Sequence, residues 1–218
     1  MRIYKYLHSC IVVEDKKKKL LIDPGTFTFL EKKVLPEVFK NISAVLVTHA
    51  HADHIDADAV KIVLKNNPGA IIISNRGVGE FLKPAGIPVD VFEEGMREVD
   101  GFTVEAVHAK HESILTPIPA NTAYRINGSL IHPGDSMDKS ILAFKGTKVL
   151  ALPVIAPWTK QLSVAEFALN MKTNIAIPIH DGFTKDFFQI RQNTIYKEHL
   201  AKFDIDYRPL GPGEFVEI

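Results

Sequence analysis

The stretch Thr48-His49-Ala50-His51-Ala52-Asp53-His54-Ile55-Asp56 puts three imidazoles and two carboxylates into one turn, directly after the apolar run Ala44–Val47. Such side chains are ligands for a divalent cation, and His49, His51, Asp53 and His54 already supply the four donors that one zinc ion takes. More candidates stand at the ends of other apolar runs. His108 and His111 follow Phe102–Val107, Asp135 comes just after Ser129–Ile131, His180 follows Ile175–Ile179, and Asp23 ends Leu20–Ile22. One histidine alone is as well explained as a core or surface residue. Seven of the nine histidines, counting His132, lie in the turn or near such a run, and that distribution points to one assembled site. Loops at strand ends are held rigidly by a sheet yet stay open to a ligand. The donors exceed what one ion can use, which argues for two ions about 3.5–4 Å apart with a shared hydroxide as nucleophile.

The elements that must position these residues are mostly short Val- and Ile-rich runs separated by turn signals. Cys10–Val13 and Leu20–Ile22 read as a hairpin closed by Asp15 and the solvated lysines 16 to 19. Ala44–Val47, Ala70–Ile73, Val89–Phe92, Phe102–Val107, Thr122–Ile126, Ser129–Ile131, Val149–Leu152 and Ile175–Ile179 are further expected strands, with Asn127-Gly128 as a hairpin turn. Helical spacing marks Val60, Val63 and Leu64, with Asp56 as N-cap. It also marks Asn75 to Lys83, the segment of Val164, Phe167, Ala168 and Met171 with a Ser163/Glu166 capping box, and Asp186 to Phe203. About ten strands with four helices suggest two packed sheets covered by helices rather than one doubly wound sheet. No internal repeat or linker is visible, so residues 1–218 are expected to form one domain.

The composition narrows the class. Twenty-six basic and twenty-six acidic residues leave no electrostatic bias toward nucleic acid or an anionic membrane. The lone cysteine, Cys10, excludes an internal disulfide and is expected to be a small core residue in a reducing compartment. No segment approaches the roughly 18 apolar residues of a membrane span, and the N-terminus has no signal-peptide core. A cytoplasmic protein is expected.

His49-Ala50-His51-Ala52-Asp53-His54 matches the H-x-H-x-D-H signature, and the chain resembles the metallo-β-lactamase superfamily of metal-dependent hydrolases. Within it, the chain is similar to the small branch that includes the L-ascorbate-6-phosphate lactonases. The likeness runs from about His8 to Gly182, through Tyr6-Leu7-His8-Ser9, Leu21-Ile22-Asp23-Pro24-Gly25, His132-Pro133-Gly134-Asp135-Ser136, Ala156-Pro157-Trp158 and Pro178-Ile179-His180-Asp181. The resemblance implies an α/β fold, a four-layer αββα sandwich of two mixed sheets with the site along one edge. It implies that His49, His51 and a downstream histidine hold one ion, that Asp53, His54 and His180 hold the second, and that Asp135 bridges both. His111 is placed as that downstream histidine, leaving His108 beside the ligands or facing substrate. Asp23 is either a partner to a ligating imidazole or an Asp-Pro-Gly turn residue. His8 departs from the branch's usual Gly-His by following Leu7, and it stands with Trp158 at the pocket. His132 and His199 are read as structural.

The function so implied is hydrolysis of a small ester, lactone or related substrate by hydroxide from a dinuclear centre, with Asp53, Asp135 and His111 at the reacting site. Zinc is the expected ion, with manganese or iron compatible with the donor set. A phosphodiesterase or nuclease-type hydrolase, a non-catalytic metal-binding protein and a di-iron redox protein are the alternatives. The partner is a small molecule, with no nucleic acid and no membrane, and homo-oligomerisation is left open. The chain beyond His180 is short, so the pocket is expected from Thr26–Leu30, Thr116–Ala120 and Ala156–Lys160, with Lys110 and Lys160 available to a phosphate.

Overall fold

The computed structural model describes residues 1–218. The first half of the chain runs β1 (Arg2–Lys5), β2 (Ile11–Asp15), β3 (Lys18–Ile22), a short α1 (Thr26–Phe29), β4 (Ile42–Leu46), α2 (Ala57–Asn66), β5 (Ile71–Ser74), α3 (Arg76–Leu82) and β6 (Asp90–Val91). The second half runs β7 (Gly95–Val99), β8 (Phe102–His108), β9 (Thr122–Ile126), β10 (Leu130–His132), β11 (Val149–Pro153), α4 (Gln161–Met171), β12 (Ile175–Ile179), α5 (Asp186–Ala201) and β13 (Asp206–Tyr207), and β14 (Phe215–Glu217) closes the chain.

Two seven-stranded mixed sheets result, ordered β14-β1-β2-β3-β4-β5-β6 and β13-β12-β11-β10-β9-β8-β7. In the first, β14, β1, β2 and β3 pair antiparallel and β3 to β6 parallel. In the second, β7 to β10 pair antiparallel and β10 to β13 parallel. The halves therefore share one pairing plan although no sequence repeat betrays it. Pairing plans follow hydrophobic pattern and turn position, which different residues can satisfy equally well.

Strand alternation sorts the core into layers. Ile11, Val13, Leu20, Ile22, Ala44 and Leu46 point between the sheets, where they meet Val104, Ala106, Tyr124, Ile126, Val149 and Ile177. Their neighbours Val12, Leu21, Val45 and Val47 point outward against Val60 and Val63 of α2 and Val78 and Leu82 of α3. Ile131, Leu150, Leu152 and Ala176 do the same on the second sheet, under Val164 and Phe167 of α4 and Tyr196 and Leu200 of α5. Because both faces are covered, these strands read as unbroken apolar runs. The layers are helix, sheet, sheet, helix, as expected.

The Asn127-Gly128 turn has φ of 48° and 59° at its two central residues, the left-handed geometry a tight hairpin needs. Asp56 caps α2, its carboxylate accepting from the Asp58 and Ala59 amides at 3.0 Å. The expected Ser163/Glu166 capping box does not form. The Val164 amide already donates to the Lys160 carbonyl at 3.0 Å, so the helix begins earlier, with Lys160 as N-cap, and Ser163 lies inside it. Strands β1, β7, β13 and β14 escaped the sequence reading because they are short or alternate apolar with charged residues, as in Arg2-Ile3-Tyr4-Lys5. No helix is long and apolar enough to cross a membrane. Cys10 is fully buried.

Candidate metal centre

Loops at one end of the two sheets carry the site. Asp23 follows β3, the turn from His49 to His54 lies between β4 and α2, His111 follows β8, Asp135 follows β10, and His180 follows β12. Their donor atoms form two groups. His49, His51, His111 and Asp135 make one, and His8, Asp53, His54 and His180 make the other, with donors in each group within 4.8 Å of one another. Asp135 lies between them. One carboxylate oxygen is 3.0 Å from His54 Nε2, and the other is 3.0 Å from His180 Nε2, 3.5 Å from His111 Nε2 and 3.9 Å from His49 Nε2.

The outer nitrogens reveal which way the lone pairs face. His111 Nδ1 lies 2.6 Å from the Glu112 carbonyl, His180 Nδ1 2.7 Å from the Ile155 carbonyl, and His54 Nδ1 2.7 Å from Asp23 Oδ2. An oxygen acceptor requires the nitrogen to donate, so Nε2 is the ring nitrogen left to face the centre and to offer a lone pair to an ion. His54 Nε2, His111 Nε2 and Asp135 Oδ1 are buried without a hydrogen bond, although the first and last lie 3.0 Å apart. Buried, unpaired donors and acceptors are costly, and inward imidazole lone pairs around carboxylates are what a divalent cation requires. The residues fit a metal.

His8 belongs to the second group by distance but differs in chemistry. Its Nδ1 accepts from the Gly182 amide at 3.1 Å, so Nε2 carries the proton and donates to Asp53 Oδ2 at 3.0 Å. Burial pushes its pKa down to about 4, which keeps it neutral. His8 offers Asp53 a hydrogen bond rather than a lone pair to an ion.

Asp23 is fully buried and does more than turn the chain. It accepts from the Thr48 amide and hydroxyl, both at 2.7 Å, besides holding His54. Asp23, His8 and His180 all adopt left-handed backbone, with φ of 50°, 58° and 60°, a strain of about 1–3 kcal/mol each of the kind found at functional sites. Gly25 is required beside them, since a Cβ there would lie 1.8 Å from the Asp53 carbonyl oxygen. Asp23→Asn should keep the fold and cost about 10–100-fold in metal affinity, the usual loss for a residue that orients a ligand. Competition with a chromophoric chelator measures it, and an unchanged affinity would refute the orienting role.

Burial is the largest influence on the His49, His51, His54 and His180 rings, and it favours the neutral form. It takes His49 well below the usual histidine value and lowers His51 as well. In His54 and His180 it is outweighed by carboxylates. Asp135 and Asp23 hold His54 well above the usual value, while Asp135 and Asp53 hold His180 up at about 9. Burial also opposes ionisation of Asp53 and Asp135, yet the surrounding histidines keep both well below the usual carboxylate range. At neutral pH the metal-free protein therefore carries protons on His54 and His180 that ion binding must displace. Zinc affinity is expected to rise with pH toward about 9, and calorimetry in buffers of different ionisation enthalpy should register proton release.

A cavity of about 860 Å³ opens over both groups, lined at its floor by His51, Asp53, His111, Asp135 and His180. Its walls include Thr26 and Phe27, Pro157 and Trp158, and Thr116, so each of the three expected loops contributes. Beside Thr116 the wall is completed by Ser113 to Leu115, just before that expected loop, and Phe183 was not anticipated. Lys110 and Lys160 are absent from the lining. His108 is corrected too. It is the last residue of β8, paired with Thr122 and exposed, so it neither lines the cavity nor touches the ligand candidates. The chain must leave the ladder before a side chain can turn inward, and His111 does so three residues on.

His132 is buried, tying the Ser9 carbonyl at 2.9 Å to the Gly134 amide at 3.3 Å, and half-buried His199 packs near Phe203, away from the site. Asn121 was missed. Its amide donates to the Ala109 and Pro133 carbonyls at 3.0 Å while its oxygen accepts from the Asp135 amide at 3.3 Å, clamping two ligand loops together. Thr48 was missed as well, and only its place next to His49 could have flagged it.

A sequence model of the family described as beta-lactamase superfamily domain matches residues 2–180. Protein Rv0786c of Mycobacterium tuberculosis is 31% identical over 189 residues, 84% of each chain. The UPF0173 metal-dependent hydrolase of Methanosarcina mazei is 28% identical over 230 residues, covering 97% of this chain and 96% of its own. Among solved structures, Igni18, a metallo hydrolase from Ignicoccus hospitalis, superposes with a TM-score of 0.77 at 24% identity, over 99% of this chain and 97% of that one. CmlA, a diiron beta-hydroxylase from Streptomyces venezuelae, shares the fold at a TM-score of 0.71 and 14% identity, over 100% of this chain and 54% of that one.

Proposed function

The chain belongs to the beta-lactamase superfamily, and from that membership we propose a metal-dependent hydrolase that uses two divalent ions to cleave a small ester or lactone. The observation that carries this reading is the position of Asp135 between two groups of inward-facing imidazoles. His49, His51 and His111 would hold one ion, Asp53, His54 and His180 the other, and Asp135 both. Bound there, the ions would lower the pKa of a water toward about 7, supplying hydroxide at neutral pH, and would polarise the reacting carbonyl.

The chain's own groups organise the rest. Asp53 Oδ2 takes the contacts with His8, His54 and His180, and the side chain lines the cavity floor. Its Oδ1 is assigned to hold the proton of the attacking water. The water oxygen adds to the carbonyl carbon, the bond to the leaving oxygen breaks, and the proton ends on that oxygen, leaving an acid and an alcohol. No protein nucleophile is needed. A lactone or ester ranks first, because no lysine or arginine lines the cavity to receive a phosphodiester.

Zinc is the first metal to test, then manganese and iron. Metal analysis followed by a panel of lactones, esters and phosphodiesters, run on chelator-treated and reloaded protein, checks the proposal. Equal hydrolysis by both forms would sink it. Bound ions without turnover would mark a metal-binding protein, and iron with dioxygen consumption a redox one.

A further inference from the structure

We propose that the substrate carries a bulky, uncharged apolar group beside its reacting carbonyl, seated against Phe27, Ile114, Leu115, Trp158 and Phe183; this rests on the hydrolase reading above. The cavity's only charged side chains besides its histidines are Asp53 and Asp135, both on the floor. Its walls carry hydroxyls from Thr26, Ser113 and Thr116 but no cation. An anionic tail would be buried there without a partner, at a large desolvation cost. An alkyl or aryl tail meets side chains of its own kind.

The apolar wall begins where the chemistry ends. The Trp158 and Phe183 rings lie 5.7 and 5.3 Å from the His180 ring, and Phe27 lies 5.9 Å from Phe183. A carbonyl at the floor therefore has its substituent directly against aromatic faces. At about 860 Å³ the space is in the range of cavities that enclose ligands much larger than a small lactone ring. Leu115 is fully exposed and Phe183 41% exposed at this wall. Apolar side chains held in water around a pocket mouth mark a surface that a ligand covers.

Trp158 is the chain's only tryptophan and lines this wall, so its fluorescence reports occupancy without turnover. The test titrates zinc-loaded protein with methyl ketones from butanone to decanone, which carry the carbonyl but cannot be hydrolysed. Affinity should rise about fourfold per added methylene until the wall is covered, with a change in Trp158 emission. Leu115→Ser and Phe183→Ser should each flatten that rise. The same ketones ended by a sulfonate, a poor metal ligand, should bind at least about tenfold more weakly. Chain-length-independent affinity, unchanged Trp158 emission, or equal binding of the sulfonates would overturn the inference. Turnover of methyl esters with acyl chains matching those ketones is measured alongside. Chain-length-dependent binding without turnover sinks the hydrolase reading and the substrate claim with it, whereas turnover with chain-length-independent binding sinks the present inference alone.

Discussion

Asp135→Ala is expected to abolish hydrolysis and to weaken metal binding by more than about 100-fold, the upper end of what residues that merely orient a ligand cost. The Asp135 carboxylate stands within 3.0–3.5 Å of Nε2 atoms from both donor groups, so its loss removes a donor from each and the only anion between them. The loop itself should survive. Its backbone is held by the Asp135 amide to Asn121 at 3.3 Å and by the Glu112 amide to the Asp135 carbonyl at 2.8 Å, neither of which uses the carboxylate. Asp135→Asn keeps the shape and one neutral oxygen donor, and it should fall between wild type and Asp135→Ala. Equilibrium dialysis with metal analysis separates occupancy from activity. Two ions at full occupancy in Asp135→Ala would show that this residue bridges nothing.

Lys5→Met is expected to lower stability by about 3–5 kcal/mol, the typical cost of stranding one member of a buried ion pair. Lys5 on β1 donates to Asp181 Oδ1 at 3.1 Å and to the Tyr6 carbonyl at 2.8 Å, with the Lys5 and Asp181 side chains only 2% and 7% exposed. The pair ties the first sheet to the loop that begins at His180. For a chain of this size, each kcal/mol moves the melting temperature by about 2–4 °C, so the drop should be roughly 6–20 °C. The variant Lys5→Met/Asp181→Leu removes both charges and should recover most of it. Thermal melts of the metal-free proteins decide the matter, because ion binding adds a stabilisation of its own. A Lys5→Met melt that coincides with wild type would mean that water reaches Asp181 and the pair is not desolvated.

The clustering of candidate ligand atoms in one turn was legible in the sequence. His49, His51, Asp53 and His54 lie so close along the chain that any folding of that turn keeps them together. The covered strands were legible for a similar reason, since a strand buried on both faces writes a continuous apolar run such as Ala44–Val47. Asp56 announced its helix through local hydrogen bonding. Short edge strands such as Gly95–Val99 left no such mark, because an exposed strand tolerates Met96, Arg97 and Glu98. The Ser163/Glu166 pattern misled, because the backbone entering α4 closed its first turn before the cap was reached.

From the sequence alone came the candidate metal-ligand turn, the two-sheet class and more candidate donors than one ion takes. Whether His108 or His111 reaches the site was decided by the length of β8, which keeps His108 in the ladder opposite Thr122. The His8 tautomer was decided by an amide 174 positions away, and the Lys5 partner by a carboxylate 176 positions away. Periodicity and turn chemistry act over a few residues and leave a trace in residue order. Hydrogen bonds and ion pairs across the two sheets depend on distances set only when the layers pack, so residues far apart in the chain carry no mark of them until the fold brings them together.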